Sequence, residues 1–306
     1  MTGAPEILLL ALLLDAALGE PAWLWARLPH PAVLMGWLIG WADTRFNRGA
    51  HKRRAGIAVL CALVLGAGLL GWLLEVLLPW RMAELLLVAI LVAHKSLVQH
   101  VAAVAAGLRE SLAAGRRAVA MIVGRDTAEM DEPAVVRSGI ESAAENLSDG
   151  VTAPVFWYLL GGLPGILIYK VTNTADSMIG YRTERHAEFG WASARFDDLL
   201  NWIPARVTAL LILLTHGRFA DWGAVSREAR LHRSPNAGWP EAAMARCLGV
   251  ALSGPRSYEG ELRDYPFVHP EGNRTPGPEA IDQATAALWR SWAGICAVAA
   301  VLALLT

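Results

Sequence analysis

One segment limits what this chain can fold into more than any other. "AGIAVLCALVLGAGLLGWLLEVLLP", from Ala55 to Pro79, is apolar almost throughout. It exceeds the roughly 20 residues a helix needs to cross a hydrocarbon core, so the chain reads as membrane-embedded. Glu75 near its end is placed to reach the headgroups. Two further runs, Ala83 to about Leu108 and Ala286 to Leu305, are also long enough to span. The first carries His94, Lys95, Gln99 and His100, polar groups that a span turns toward protein or water. Composition agrees: 55% of residues are hydrophobic and 18% charged, against about 25% charged in soluble domains. Of thirteen tryptophans, Trp23, Trp25, Trp37, Trp41, Trp72, Trp80, Trp289 and Trp292 flank apolar runs, as interfacial rings do. The net charge of −1 gives no basic surface for nucleic acid.

The N-terminus "MTGAPEILLLALLLDAALGEP" has no positive start and carries Asp15 inside its apolar run. It reads as a first helix that is retained rather than a signal peptide. Arg45, Arg48 and "HKRR" (His51 to Arg54) place the segment before Ala55 in the cytoplasm. Cys61, Cys247 and Cys296 form no paired motif and read as small buried residues. The expected class is all-α, a polytopic helical membrane protein with broken or re-entrant helices and cytoplasmic helical loops. A single domain, 1–306, is expected, with polar cytoplasmic segments at about 109–150, 173–200 and 217–285.

The run from Val151 to Tyr169 is different. Its centre reads "GGLPG", which turns more readily than it continues a straight helix. Each flank is about ten residues, roughly 15 Å as helix, half of a core about 30 Å thick. A re-entrant hairpin is therefore expected, with a kinked full span as the competitor. The hairpin would bring Glu141, Glu145 and Asp149 beside Asn173 and Asp176 on the cytoplasmic side.

Three polar constellations border these runs. Glu141, Glu145 and Asp149 fall at i, i+4 and i+8 with Asn146 alongside. Carboxylates at that spacing repel unless a cation joins them, and Mg²⁺ suits carboxylate and phosphate oxygens; a solvated acidic face is the alternative. Lys170, Asn173 and Asp176 follow at i, i+3 and i+6, then Arg182 and Arg185. These cations suit phosphate, or they snorkel to headgroups. In "FDDLLNWIPAR", Asp197 and Asn201 are i and i+4 with Asp198 adjacent. Arg206 sits in an apolar run, where it seeks an anion on the protein or on a ligand. His30 between two prolines and Asn236 and Glu241 of "SPNAGWPEAAMA" are weaker candidates. No Walker A loop, dinucleotide fingerprint, zinc spacing or nucleophile elbow is present.

"IESAAENLSDGVTAPVFW", "YKVTNTADSMIGYRTERHAEFGWASARFDDLLNWIPARV" and "SPNAGWPEAAMA" resemble the signature blocks of the adenosylcobinamide-phosphate synthase family of cobalamin biosynthesis. "LLLDAALGEPAWLWARLPHPAVLMG" is similar to its opening block, with Gly19-Glu20-Pro21 where Gly-Asp-Pro is usual. The resemblance implies a multipass inner-membrane ligase with its active site facing the cytoplasm. Such an enzyme joins aminopropanol phosphate, or free aminopropanol, to a propionate carboxyl of adenosylcobyric acid, with ATP as cosubstrate and Mg²⁺. Other cobalamin-biosynthesis enzymes are candidate partners, beside the lipid bilayer.

On that reading Glu141, Glu145 and Asp149 hold metal. Lys170, Asn173, Arg182, Arg185, Asn201, Arg206, Asn146 and Asn236 bind substrate or phosphate. Asp176, Asp197 or Asp198 is the general base, and Trp157, Trp191, Trp202 and Trp239 pack the corrinoid. Two other classes compete. A transporter would need matching halves, which the hydropathy lacks. A non-enzymatic membrane regulator, like the related beta-lactamase-regulation accessory proteins, would have little use for so many acids, amides and arginines.

Overall fold

A computed structural model describes residues 3–77, 81–258, 261–263 and 265–305. Pro79 and Trp80, placed by the sequence at the end of the first span, lie outside the described residues. The chain is helical almost throughout: α1 (Ala4–Leu18), α2 (Ala22–Trp25), α3 (Pro31–Phe46), α4 (Lys52–Leu77), α5 (Arg81–Leu91), α6 (His94–Glu110), α7 (Leu112–Ala120) and α8 (Glu132–Asn146). A π-helix, Leu147–Thr152, leads into α9 (Ala153–Ile179), α10 (Trp191–Leu200), α11 (Trp202–Thr215), α12 (Trp222–Ala229), α13 (Gly238–Leu248) and α14 (Pro278–Leu305). Among the described residues, four helical runs are long and apolar enough to cross a membrane: Lys52–Leu77, Arg81–Glu110, Glu132–Ile179 and Pro278–Leu305, with α10 and α11 as a fifth if that bent pair counts as one. The expected all-α polytopic class is the one observed.

The chain forms two compact units. The first comprises Met1–Ala93, Ala153–Asn201 and Ala299–Thr306. Here α9 is the central element, packing on α4 and also against α1, α3, α5 and α10. Ile39, Leu63, Val171, Ala175, Ile179 and Phe189 form the buried cluster between them. Pro31 opens α3 with His30 as its cap, the ring Nδ1 accepting from the Ala32 N–H at 3.1 Å. A helix start with its φ preset by proline and one orphan N–H satisfied is a firm boundary.

The apolar run with "GGLPG" breaks at Gly162, whose φ of 60° and ψ of −148° leave the helical region. The arms then fold back on each other. Ala153 and Tyr169 pack in one cluster with Leu200, although sixteen residues of straight helix would hold them about 24 Å apart. A Cβ on Gly165 would lie 2.2 Å from the Trp157 carbonyl oxygen, a contact that only chain reversal allows. The expected reversal of the chain is therefore observed. Its tip rests on α4, where a Cβ on Gly71 would lie 2.5 Å from the Pro164 nitrogen. Glu75 Oε1 accepts from the Leu163 N–H at 2.8 Å. Glu75, which the sequence directs to the headgroups, thus satisfies a backbone donor freed by the break, a group costly to leave bare in apolar surroundings.

The second unit comprises His94–Thr152 and Trp202–Val298. In it α6 packs on α7 and α8, α11 on α13 and the π-helix, and α13 on α8 and α12. Asp131 caps α8 through the Ala134 N–H at 2.8 Å. His94 is fully buried, its ring edge-on to Trp289 at 4.7 Å and stacked on Trp292 at 5.9 Å. Trp292 Nε1 is buried without a hydrogen bond among the described residues, and its ring packs with His94 and Trp289. The expected helical loop at 217–285 holds only as far as Leu248. Beyond it, backbone of positive φ at Gly249, Ser253 and Gly254 ends the helix. Two short antiparallel pairs follow, β1 (Leu252–Ser253) with β4 (Phe267–Val268) and β2 (Arg256–Tyr258) with β3 (Glu261–Arg263).

Candidate functional site

The second arm of α9 and the whole of α10 build a polar network inside the first unit. Both helices also pack apolar residues, so their polar faces meet where the apolar faces fix them. Tyr169 Oη donates to Asn201 Oδ1 at 3.0 Å, and Asn201 Nδ2 donates to Asp197 Oδ2 at 3.0 Å. Asn173 Nδ2 donates to the other oxygen of Asp197 at 3.3 Å. Asp197 and Asn201 are buried. Buried carboxylates persist when each oxygen is bonded and the geometry is held, and here two amides do both. Asp176 and Asp198 place like charges on Asp197. Arg195 and Arg182 act on Asp198, with Arg195 Nη1 3.8 Å from Asp198 Oδ2. Arg182 itself is exposed. Asn173, Asp176, Asp197, Asp198 and Asn201 are thus brought together, and Tyr169 is the member the sequence reading missed.

The opening block of the chain meets the same helix. His30 lies in the electrostatic range of Lys170 and of Glu20. Its ring is edge-on to Trp25 at 4.6 Å. Burial lowers its pKa; Lys170 lowers it further and Glu20 works against both.

Arg185 has another role. Its guanidinium grips Asp43 on α3, with Nη2 2.5 Å and Nε 3.2 Å from Oδ2. Asn47 Nδ2 donates both to Asp43 Oδ1 and to the Arg185 carbonyl. Burial pushes the Asp43 carboxyl up, but the hydrogen bonds from Arg185 and Asn47 outweigh it and hold it below the usual carboxylate value. Arg185 therefore ties the loop after α9 to α3.

In the second unit the three acids of α8 and the π-helix do not share one environment. Glu141 is buried, Glu145 exposed and Asp149 half-buried. Glu141 Oε2 takes Arg125 Nη2 at 2.6 Å, and Oε1 accepts from the Ser253 N–H at 2.6 Å. Both oxygens are engaged, so the expected metal line lacks its first ligand. Asn146 donates to the carbonyl and hydroxyl of Ser142. Arg206 and Asn236 are brought together, Nη1 donating to Asn236 Oδ1 at 3.3 Å and to the Trp202 carbonyl at 2.6 Å. The guanidinium lies over the rings of Trp202 and Trp239, 4.4 and 4.6 Å from their centroids. What Arg206 finds is a cation–π clamp and carbonyl oxygens rather than a carboxylate. Trp157 donates to the Leu200 carbonyl and Trp191 carries Arg53 over its face at 3.9 Å. All four tryptophans expected to pack the corrinoid thus have partners within the protein. Among the described residues, the one His/Cys/Asp/Glu trio with ligand atoms this close is Glu228, His269 and Glu271, and Arg246 already bonds Glu228 and Glu271.

Residues 8–288 match the family model described as CobD/Cbib protein. Curated relatives named Cobalamin biosynthesis protein CobD are similar over nearly their full length. That of Brucella anthropi is 48% identical over 300 residues, 92% of each chain. That of a Sinorhizobium species is 49% identical over 311 residues, 96% of this chain and 95% of the relative. That of Rhodobacter capsulatus is 44% identical over 308 residues, 98% and 97%. No solved structure matches. Matched by that family model over residues 8–288 and by these relatives over nearly its whole length, the chain belongs to the CobD/CbiB family of cobalamin biosynthesis.

Proposed function

We propose that this protein is an adenosylcobinamide-phosphate synthase of the inner membrane, working from the cytoplasmic side. It would join aminopropanol phosphate, or aminopropanol, to a propionate carboxyl of adenosylcobyric acid. The observation that carries this reading is the convergence of Asn173, Asp176, Asp197, Asp198 and Asn201 around one buried carboxylate.

A carboxylate is a poor acyl donor. Activation as an acyl phosphate takes a phosphoryl group from ATP and releases ADP. The amine then attacks the carbonyl carbon, phosphate leaves, and the nitrogen loses a proton. Such chemistry depends on positioned charge more than on covalent catalysis. Lys170 and Arg182 supply cations for the phosphates. Asp176 and Asp198, less buried than Asp197, are the acceptors for the proton. Asp197, fixed by two amides, orients them.

Of the acids expected to hold Mg²⁺, Glu141 does not fit, because a guanidinium and a backbone N–H occupy its oxygens. Asp176 and Asp198 fit better, since both place like charges on Asp197. Mg²⁺ held there would neutralise phosphate oxygens.

The test is to incubate purified protein with adenosylcobyric acid, aminopropanol phosphate, ATP and Mg²⁺, and to seek the amide by mass spectrometry. Product is expected, and Asp176→Asn should lower turnover about a hundredfold or more. No product from well-folded protein, with either the free or the phosphorylated amine, would end this reading.

A further inference from the structure

We propose that the turn between α3 and α4 is a docking surface for anionic phospholipid. The headgroup phosphate sits among Arg45, Arg48, Lys52 and Arg54, and the acyl chains lie along the exposed faces of the two helices. Nothing in this depends on the reaction proposed above. Five cations fall between Arg45 and Arg54, whereas the stretch from Pro21 to Leu74 holds one carboxylate, Asp43. That carboxylate is spent inside the fold. It is 8% exposed, accepts from Asn47 and Arg185 and has His186 Nε2 3.4 Å away. Arg53 lies over the Trp191 ring. Arg45, Arg48, Lys52 and Arg54 make no ion pair among the described residues, and the three arginines are exposed. Arginines elsewhere are engaged within the protein, Arg109 by Asp282, Arg125 by Glu141 and Arg246 by Glu228. One free cation at the end of a span is ordinary snorkelling. Four around one turn, with the local acid withdrawn, repel one another until an anion is supplied.

The surroundings of the turn select the anion. Gly49 has a φ of 72°, and a Cβ there would meet nothing within 4 Å, so the turn is open. On α3, Leu34, Leu38 and Trp41 are exposed and fall at i, i+4 and i+7, with Arg45 at i+11 closing the same stripe. On α4, Arg54 heads a stripe of Ile57, Cys61 and Leu65, all exposed. Helices α3 and α4 pack together, so both apolar stripes run away from one cationic turn. Trp41 stands edge-on to Phe46 at 5.5 Å, and interfacial depth suits such rings. A soluble anion would meet the cations and leave the stripes bare. A zwitterionic lipid would cover the stripes but bring its own ammonium to the arginines. Anionic phospholipid matches charge and apolar face together.

The test uses delipidated full chain in detergent, titrated with dioleoyl phosphatidylglycerol or dioleoyl phosphatidylcholine and read by native mass spectrometry. Wild type should bind the anionic lipid at least about tenfold more tightly. The triple variant Arg45→Gln, Arg48→Gln, Arg54→Gln should lose most of that preference, and Arg48→Gln alone should lose part of it. Because these side chains are exposed and unpaired, both variants should melt like wild type. A control, Arg117→Gln with Arg227→Gln and Arg230→Gln, removes as much charge from other exposed positions and should keep the wild-type preference. Glycerol phosphate, a headgroup without chains, should not displace the lipid at equal concentration. Equal affinity of wild type for the two lipids, or an unchanged preference in the triple variant, would overturn the proposal. So would an equal loss in the control, which would make the effect one of net charge. Displacement by glycerol phosphate would overturn it too, by making the turn a site for soluble anions.

Discussion

At the level of single residues, the sequence reading succeeded where both partners lay within one helical repeat. Asp197 and Asn201 are four apart and do bond, and Lys170, Asn173 and Asp176 share one arm of α9. It failed where a partner came from far along the chain. Asp43 lies 142 positions from the arginine it holds, and nothing local in "ADTRFN" marks it. Glu141 shows the consequence. Its spacing to Glu145 suggests a metal face, yet its donors come from the turn after α7 and from β1. Glu141→Gln would keep an acceptor for the Ser253 N–H but leave Arg125, 12% exposed, without its counter-charge. Removing one partner of a buried pair costs about 3 kcal/mol or more. A clearly lower denaturation midpoint is expected, with the Mg²⁺ dependence of the remaining activity unchanged. Wild-type stability with a raised Mg²⁺ requirement would return Glu141 to the metal.

At the level of elements, the hairpin in α9 was legible because glycine and proline act through their own backbones. What held it was not legible: Glu75 and Gly71 sit on α4, and only packing brings them to the tip. The glycines of "GGLPG" are also unequal in a way the string conceals. A Cβ on Gly161 would meet nothing within 4 Å, Gly162 has positive φ, and Gly165 abuts the Trp157 carbonyl. Gly161→Ala should be neutral or stabilising by up to about 1 kcal/mol, the helix-propensity difference. Gly165→Leu must part the two arms and should abolish both folding and activity. Equal tolerance at the two sites, measured as monodisperse protein recovered in detergent and its melting temperature, would contradict the reversal.

For the whole molecule, periodicity and run length identified the class, since a bilayer admits few solutions to backbone hydrogen bonding. They could not reveal that the chain interleaves two compact units, because each unit is assembled from segments separated by the other. They also said nothing of the short strands beyond Leu248, where positive-φ backbone takes over. An orientation, by contrast, is predicted by charge. Helix α4 has 26 residues, about 39 Å at 1.5 Å per residue, enough to cross the core and reach past it. Arg45, Arg48, Lys52, Arg53 and Arg54 crowd its N-terminal end. Basic residues this near a span set its direction, because translocating them is unfavourable. Arg53 lies over the Trp191 ring, so the same end carries α10, whose acids and amides form the candidate site and which would therefore face cytoplasmic ATP. A cysteine in place of exposed Ala50, in a chain with Cys61, Cys247 and Cys296 changed to serine, should react with an impermeant maleimide in inverted vesicles and not in intact spheroplasts. Labelling in spheroplasts alone would put α10 on the outer face, away from the nucleotide the proposed reaction consumes.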